Sequence, residues 1–282
     1  MTRKAGVLGH PIAHSLSPVL HRAAYDALGL DWQYDAYDVA SGGLADFLKR
    51  VNRDWAGLSL TMPLKVEAVP FMDFVEPLAK LLGVVNTVVV SGRDASLQLV
   101  GANTDVHGIV VALGEAGVSS VPRGVIVGGG ATAISAVAAL GELGCVEPSV
   151  VVRSRARAGG LLRAATAMGI GVRFVDLADD AAVAAALRGA DAVVSTVPAA
   201  AGDAIASLLG EGQLRSGQVL LDVVYEPLVT PLGQAWQHCG GTRIGGERML
   251  LHQAGEQVRL MTGHPAPTEA MDAALRAVLP SS

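Results

Sequence analysis

The sequence predicts an α/β fold made of two domains. Strand-like and helix-like patterns alternate along all 282 residues, which is typical of mostly parallel sheets. Midway, over residues 125–133, an apolar strand leads into a glycine-rich turn and then a helix. A short polar stretch containing a proline, residues 119–123, precedes this second unit. We therefore expect domains at residues 1–105 and 106–240, followed by C-terminal helices over residues 241–282.

The first domain is predicted from short apolar strands and from helix-start signals. Ser17 and Pro18 have the pattern of an N-cap followed by proline at the first helical position. The apolar run 55–60 indicates a buried strand, and the polar residues 91–94 between two apolar runs indicate a hairpin. The predicted strands are 5–8, 34–39, 55–60, 84–90 and 97–100, and the predicted helices are 17–28 and 42–50. A further predicted helix, 107–116, leads away into the second domain.

The second domain has the pattern of a doubly wound parallel sheet. Short apolar strands are separated by alanine-rich helices, as in nucleotide-binding domains. The predicted strands are 125–127, 149–152, 172–175, 192–195 and 219–223. Two helical patterns, 247–262 and 267–279, close the chain without a strand of their own. We expect these helices to pack back on the first domain or on the hinge between the domains.

The composition argues against several classes of protein. Hydrophobic residues make up 51% of the chain and charged residues 17%, so a disordered protein is excluded. A net charge of −5 without a basic cluster argues against nucleic-acid binding, and no apolar run is long enough to span a membrane. Two distant cysteines and the lack of a signal-peptide pattern predict a cytoplasmic protein. The histidines have no partners at a metal-ligand spacing, so we expect no metal site.

Two polar segments lie where predicted strands end. Thr61 and Lys65 follow the strand at 55–60, and Asp105 follows the strand at 97–100. A lysine ammonium beside a carboxylate can hold a proton and exchange it with a substrate oxygen. The pair therefore predicts a proton-transfer site, and an ordinary salt bridge is the alternative.

The glycine-rich turn predicts a dinucleotide site. Gly128, Gly130 and Ala133 have the spacing that lets a backbone approach a pyrophosphate, while the following helix supplies amide donors. A plain turn is the alternative, but the strand before it and the helix after it favour the nucleotide site. Together with the proton-transfer pair, the turn indicates hydride transfer to or from a carbonyl.

The end of the next strand indicates which dinucleotide is bound. An NAD site usually carries an acid about 20 residues after the glycines. This chain has Arg153, Ser154 and Arg155 at that place instead. Because a guanidinium pairs with phosphate oxygens, these residues favour NADP through its 2′-phosphate. A solvated basic turn is the alternative.

Six segments of the chain resemble, in order, the signatures of the shikimate dehydrogenases. They are residues 9–18, 59–65, 83–87, 103–108, 222–232 and 246–254. The resemblance covers nearly the whole chain, and six ordered segments are far more specific than any one of them. It implies an N-terminal α/β substrate domain and a Rossmann-like, doubly wound NADP-binding domain. It also implies NADP-dependent, reversible reduction of 3-dehydroshikimate to shikimate in aromatic amino acid biosynthesis.

The resemblance further implies roles for individual residues. Lys65 and Asp105 would be the catalytic pair. The residues implied for substrate binding carry hydroxyl or amide groups and are Ser15, Ser17, Thr61, Asn86, Tyr225 and Gln253. The two serines would bind the substrate carboxylate, and Tyr225 would lie near the nicotinamide end. The residues implied for cofactor binding are Gly128, Gly129, Gly130, Ala131, Thr132, Ala133, Arg153, Ser154, Arg155, Thr196, Val223, Gly246 and Met249.

The chain departs from the family pattern at a few positions. Ser59 stands where the signature has asparagine, Ala131 replaces a glycine of the glycine-rich turn, and Ile134 replaces a frequent arginine. Residues 194–198 match the family's fourth-strand motif only loosely. These departures bear on cofactor affinity more than on the reaction.

Two alternatives to this function stay open. A paralogue acting on quinate or aminoshikimate, or using NAD, would carry the same chemistry; Ser17 and Arg153 favour shikimate and NADP. A non-catalytic dinucleotide-binding regulator could use the same fold, and the intact Lys65 and Asp105 argue against it. The expected partners are the small substrate and NADP, without nucleic acid or membrane, in a monomer or homodimer.

Overall fold

The structure is a computed structural model, and it describes residues 2–92, 96–210 and 212–280. The chain divides into two compact units. The first unit comprises Met1–Thr104 with Leu250–Ser282, and the second unit comprises Asp105–Met249. Part of the predicted hairpin turn at 91–94 lies outside the described residues.

The first unit contains a mixed six-stranded sheet. Its strands are β1 (Arg3–Gly9), β2 (Trp32–Asp38), β3 (Trp55–Leu60), β4 (Phe74–Val75), β5 (Thr87–Ser91) and β6 (Gln98–Ala102). The strand order is β2-β1-β3-β5-β6-β4. The central β1 is parallel to β2 and β3, and β5 pairs antiparallel with β3 and β6. Every residue of β3 is buried, as its apolar sequence predicts.

The C-terminal helices belong to the first unit for most of their length. The helices of this unit are α1 (Ser17–Ala27), α2 (Leu44–Leu48), α3 (Leu64–Glu67), α4 (Pro77–Leu82), α11 (Gly246–Thr262, from residue 250) and α12 (Thr268–Val278). Leu20 of α1 is fully buried in one cluster with Leu251 and Val258 of α11 and Met271 of α12. The prediction that the closing helices pack back on the first domain is therefore confirmed.

The second unit is an all-parallel, doubly wound sheet, as predicted. Its strands are β7 (Gly124–Val127), β8 (Ser149–Val152), β9 (Arg173–Asp176), β10 (Ala192–Ser195), β11 (Val219–Asp222) and β12 (Thr242–Gly245). The order β12-β11-β10-β7-β8-β9 reverses direction between β7 and β10, which is where such sheets bind ligands. The helices are α5 (Asp105–Glu115), α6 (Ala131–Glu142), α7 (Gly159–Ala167), α8 (Asp180–Gly189), α9 (Ala199–Ala206) and α10 (Pro231–His238).

The structure corrects several predicted elements. Residues 242–245, assigned above to the helical C-terminal segment, form β12, because they pair in parallel with β11. The short β4, α3 and α4 were not predicted. Ser17 is the first residue of α1 rather than its N-cap; Leu16 holds that position, and the Ser17 side chain is buried.

The described residues also bear on membranes and metals. None of the helices in this part of the chain combines the length and apolar character needed to cross a membrane. Among the same residues, His, Cys, Asp and Glu form no group of three or more that could hold a metal ion.

Candidate active site

The ends of β1 and β3 are held together by backbone contacts. The Thr61 amide donates to the Leu8 carbonyl at 2.9 Å, and the His10 amide donates to the Met62 carbonyl at 2.9 Å. A Cβ on Gly9 would lie 2.8 Å from the Met62 carbonyl oxygen and would collide with the Thr61 methyl group. Glycine at position 9 is therefore required for the loop that starts there to run beside Thr61.

Ser15 and Ser17 lie next to each other at the start of α1. The Ser17 amide donates to the Ser15 Oγ at 3.4 Å. Ser15 is half-buried and Ser17 is buried. The structure thus brings together the two hydroxyls that the sequence assigns to the substrate carboxylate.

Lys65 is anchored in the first unit through its backbone. It lies in α3, and its carbonyl accepts from the Val85 amide at 2.8 Å. Asn86 is the residue after Val85, and its carbonyl accepts a hydrogen bond of 2.7 Å from the amide of Leu60, the last residue of β3. The Lys65 backbone therefore contacts the residue that directly precedes the predicted substrate residue Asn86.

Asp105 is buried at the first position of α5, directly after Thr104. A carboxylate in the first turn of a helix is stabilised by the helix dipole. Lys65 and Asp105 fall in different units, and their pairing stays a prediction.

Asn86 forms the centre of a buried polar cluster. Its Oδ1 accepts from the Thr104 amide at 2.7 Å, and its Nδ2 donates to the Thr104 Oγ1 at 2.9 Å. The same Nδ2 lies 3.4 Å from the Gln253 Oε1, and the Gln253 Nε2 donates to the Leu250 carbonyl at 2.9 Å. The structure therefore brings together Asn86 and Gln253, both predicted, and adds Thr104, which was not assigned a role.

A second polar layer lies behind this cluster. The Tyr34 hydroxyl donates to the Ser59 Oγ at 2.6 Å, and the Ser59 hydroxyl donates to the Gln257 Oε1 at 2.6 Å. The Gln257 Nε2 donates to the Thr87 Oγ1 at 3.0 Å. His21 stacks on Tyr34, with ring centres 4.0 Å apart. Ser59 thus takes part in a network that the sequence analysis did not predict.

Burial keeps the ionisable members of this layer neutral. Desolvation lowers the pKa of His21 to about 3, and the hydrogen bond with Gln257 opposes it only partly. Burial also raises the pKa of Tyr34 well above its usual value, against opposing hydrogen bonds with Ser59 and Ser17. The layer therefore offers fixed dipoles rather than charges.

The second unit contains a cleft of about 340 Å³ at the turn after β7. Gly128, Gly129 and Gly130 line it, and α6 begins at Ala131. Gly128 has a φ of +112°, and a Cβ there would collide with the Thr196 hydroxyl. The Thr196 hydroxyl in turn donates to the Val127 carbonyl at 2.9 Å. A glycine-lined turn at a helix N-terminus fits the pyrophosphate of a dinucleotide.

Arginines line the same cleft at the end of β8. Arg153, Ser154 and Arg157 contribute to its wall. Arg155 lies instead over the ring of Phe174, with its guanidinium carbon 5.2 Å from the ring centre. Arg157 was not predicted. The sequence feature that could have indicated it is the alternation of arginines at 153, 155 and 157.

The ends of β11 and β12 approach each other closely. A Cβ on Gly246 would collide with the Val223 backbone, so only glycine permits this contact. Met249 is buried one turn into α11, and Tyr225 is half-buried two residues after Val223. Burial raises the pKa of the neighbouring Asp222, although Thr230 donates to it at 2.5 Å. Val223 and Gly246, both predicted cofactor residues, are thus brought together.

Comparison with known proteins identifies the family. Residues 7–88 match the family model described as "Shikimate dehydrogenase substrate binding domain", and residues 246–276 match "Shikimate 5'-dehydrogenase C-terminal domain". A curated relative from Moorella thermoacetica, shikimate dehydrogenase (NADP(+)), is 34% identical over 284 residues, covering 100% of this chain and 95% of the relative.

Solved structures agree with this assignment. The Mycobacterium tuberculosis shikimate dehydrogenase has a TM-score of 0.85 and 40% identity, covering 98% of this chain and 99% of that one. The Thermus thermophilus shikimate 5-dehydrogenase in complex with NADP(H) and shikimate has a TM-score of 0.80 and 31% identity, covering 98% and 100%. The chain, matched over its full length by such relatives, belongs to the shikimate dehydrogenase family.

Proposed function

We propose that this protein catalyses the NADP-dependent, reversible reduction of 3-dehydroshikimate to shikimate. The observation that carries the proposal is the buried cluster of Asn86, Thr104 and Gln253 in a chain whose other unit has a glycine- and arginine-lined cleft. Neutral amides and hydroxyls are the groups that recognise a polyhydroxylated ring. The relatives named above carry the same activity in their descriptions.

The first unit supplies the groups that bind the substrate. Ser15 and Ser17 donate to the carboxylate, and Asn86, Thr61 and Gln253 meet the ring hydroxyls. Tyr225 belongs to the second unit and lies toward the nicotinamide end. Each buried partner makes binding depend on the matching hydroxyl, because an analogue that lacks it leaves the partner unpaired.

The proton is handled by Lys65 and Asp105. When bound, NADPH supplies the hydride that reduces the carbonyl carbon. Lys65 donates a proton to the oxygen as its negative charge develops, so that the carbonyl becomes a hydroxyl. Asp105 holds the lysine and the reacting oxygen in line. In the reverse direction, the neutral lysine accepts the same proton.

The second unit supplies the groups that bind the cofactor. The glycines of residues 128–130, followed by Ala131, Thr132 and Ala133, hold the pyrophosphate at the start of α6. Arg153, Ser154 and Arg157 face the 2′-phosphate, with Arg155 beside them. Thr196, Val223, Gly246 and Met249 lie toward the nicotinamide.

A steady-state assay with shikimate and quinate, each with NADP and NAD, tests this function. We expect the highest kcat/KM for shikimate with NADP. A higher value for quinate or for NAD would identify the paralogue instead. NADP binding without turnover of either substrate would indicate a regulator.

We also propose a cytoplasmic enzyme that is a monomer or a homodimer. Both cysteines, Cys145 and Cys239, are buried and are not joined in a disulfide, as in proteins of reducing compartments. Light scattering after gel filtration would measure the mass of the assembly, and fractionation of cells would locate the protein.

A further inference from the structure

A chain of hydrogen bonds runs in one direction from Tyr34 to the predicted substrate residue Asn86. Tyr34 donates to Ser59 at 2.6 Å, and Ser59 donates to the Gln257 Oε1 at 2.6 Å. The Gln257 Nε2 donates to the Thr87 Oγ1 at 3.0 Å, and the Thr87 hydroxyl donates to the Asn86 Oδ1 at 2.9 Å. All five side chains are buried in the first unit.

The orientation of the Gln257 amide is fixed from one side. Its oxygen accepts from Ser59 and lies 3.2 Å from the His21 Nε2. Because burial holds the pKa of His21 at about 3, the ring is neutral and has one N–H. The Tyr25 hydroxyl lies 3.4 Å from the His21 Nδ1 and can donate to it, which leaves the proton on Nε2. Gln257 therefore points its oxygen at two donors and its nitrogen toward Asn86.

The nitrogen of the Gln257 amide holds the chain segment of Asn86 and Thr87. The Gln257 Nε2 also donates to the Asn86 carbonyl at 3.1 Å, so it holds both the backbone and the Thr87 hydroxyl of this segment. Since Thr87 Oγ1 accepts from Gln257, its single hydrogen is free to go to the Asn86 Oδ1. The Asn86 Oδ1 accepts from both the Thr87 hydroxyl and the Thr104 amide, so its nitrogen is directed to the Thr104 hydroxyl and to Gln253.

We propose that Gln257 is a positioning residue of the substrate site. It holds the Asn86 carbonyl and the Thr87 hydroxyl, and so keeps the Asn86 amide, whose oxygen the Thr104 amide also binds, in the place where it can meet a ring hydroxyl. This inference rests on the proposed function for the identity of the ligand. Ser59, shorter than the asparagine of the family signature, supplies the hydrogen that turns the Gln257 oxygen away from Asn86.

Gln257→Met tests the proposal, because methionine keeps the length and volume but removes the amide. Gln218→Met in the second unit is the matched control: Gln218 is equally buried, and its Nε2 donates to the Arg188 carbonyl at 3.0 Å. We expect Gln257→Met to lower kcat/KM for shikimate about tenfold, mainly through KM, as the loss of one oriented hydrogen bond does. The KM for NADP should stay within about twofold. The control should reduce stability but leave both KM values unchanged.

A double-mutant cycle shows whether Gln257 acts through Asn86. In an Asn86→Ala background, Gln257→Met should cost less than about twofold in kcat/KM, because the side-chain amide that it helps to position is gone. A full tenfold loss in that background would mean that Gln257 supports the fold or touches the substrate directly, and the proposal would be wrong.

A measurement without turnover separates this inference from the proposed function. The chain contains three asparagines, Asn52, Asn86 and Asn103, so asparagine-selective ¹⁵N labelling gives few side-chain amide signals. Gln257→Met should shift the Asn86 signals and leave those of the exposed Asn52 in place. Unchanged Asn86 signals would overturn the inference, even in a protein active on shikimate. If the Asn86 signals shift in a protein that is inactive on shikimate, Gln257 still positions Asn86, but the proposed function is wrong.

A second variant covers the case in which Gln257→Met does not fold. Thr87→Val keeps the shape of the side chain and breaks the next link of the same chain. It should raise the KM for shikimate and shift the Asn86 amide signals in the same way. If Thr87→Val leaves both unchanged, the chain of hydrogen bonds does not position Asn86.

Discussion

Three arginines follow β8 within five residues, and replacing any one of them by alanine removes the same charge. The three variants can therefore be compared directly. Arg153 and Arg157 line the cleft, whereas Arg155 lies over Phe174. All three side chains are exposed. We predict that Arg153→Ala and Arg157→Ala each raise the KM for NADP, and that Arg155→Ala does so much less. Each variant removes one positive charge from the same turn. A difference in the KM for NADP between the variants therefore reports direct contact with the cofactor rather than the overall charge of the turn.

The size of the effect follows from exposure. An exposed ion pair contributes up to about 1 kcal/mol, and a hydrogen bond to a charged group about 1.5–3 kcal/mol. An arginine at the wall of an open cleft falls between them, at about 1–2 kcal/mol, which is about a 5- to 30-fold rise in KM. Arg155→Ala loses only a screened, more distant charge, and its KM should change less than about threefold.

The assay measures KM for NADP and for NAD with all three variants at low and moderate salt. NAD lacks the 2′-phosphate, so its KM should change little in any variant. Added salt should shrink the NADP effect. Equal losses for NADP and NAD would show that the arginines only support the turn. An Arg155→Ala effect as large as the other two would refute the assignment of the contact to the cleft wall.

Three further predictions concern the first unit and the proposed catalytic pair, Lys65 and Asp105. Lys65→Ala and Asp105→Asn should each lower turnover about 10²- to 10⁴-fold with unchanged circular dichroism, because general acid–base help is lost; near-normal turnover in both would contradict the mechanism. Ser15→Ala and Ser17→Ala should raise the KM for shikimate and leave that for NADP unchanged, whereas a fall in turnover alone would exclude a role in carboxylate binding. The buried His21 binds a proton only near pH 3, but in the unfolded chain it does so near 6.5. The unfolded state therefore gains more protons as the pH falls, and the free energy of unfolding should drop by about 1.4 kcal/mol per pH unit between about pH 6.5 and about pH 3. Urea titrations of His21→Phe should lack that part of the slope; equal slopes would mean that His21 is protonated in the folded state.

The sequence predicts best the strands that are buried on both faces. The predicted bounds agree with those of β3, β8 and β10, which are residues 55–60, 149–152 and 192–195. A short, continuous apolar run between polar residues is typical of a strand buried on both faces. β12 contains four residues, among them an arginine and a glycine, and only its pairing with β11 makes it a strand. The helices α3 and α4, of four and six residues, are too short for periodicity to be read from sequence.

The site was predictable where a residue type alone carries the chemistry. Asn86 and Gln253 were predicted from the family signatures, and the structure places the Asn86 Nδ2 at 3.4 Å from the Gln253 Oε1. Arg157 could not be separated from Arg155, because only the 3₁₀ turn Arg155–Ala158 decides which of the two faces the cleft. Side-chain direction on such a short turn depends on tertiary packing, here the contact of Arg155 with Phe174.

Gln257 shows a different limit of sequence reading. It stands four residues after Gln253 on α11, and that spacing places both amides on one face of the helix. The sequence therefore contained a signal that both side chains enter the same polar region. The sequence does not predict which way the Gln257 amide points, because a glutamine can present either its oxygen or its nitrogen to the same neighbour. That choice depends on Ser59 and on a neutral His21, which come from other parts of the chain. A buried amide four residues from a predicted substrate-binding residue is therefore worth testing for its own partners, since those partners decide whether its oxygen or its nitrogen faces the predicted site.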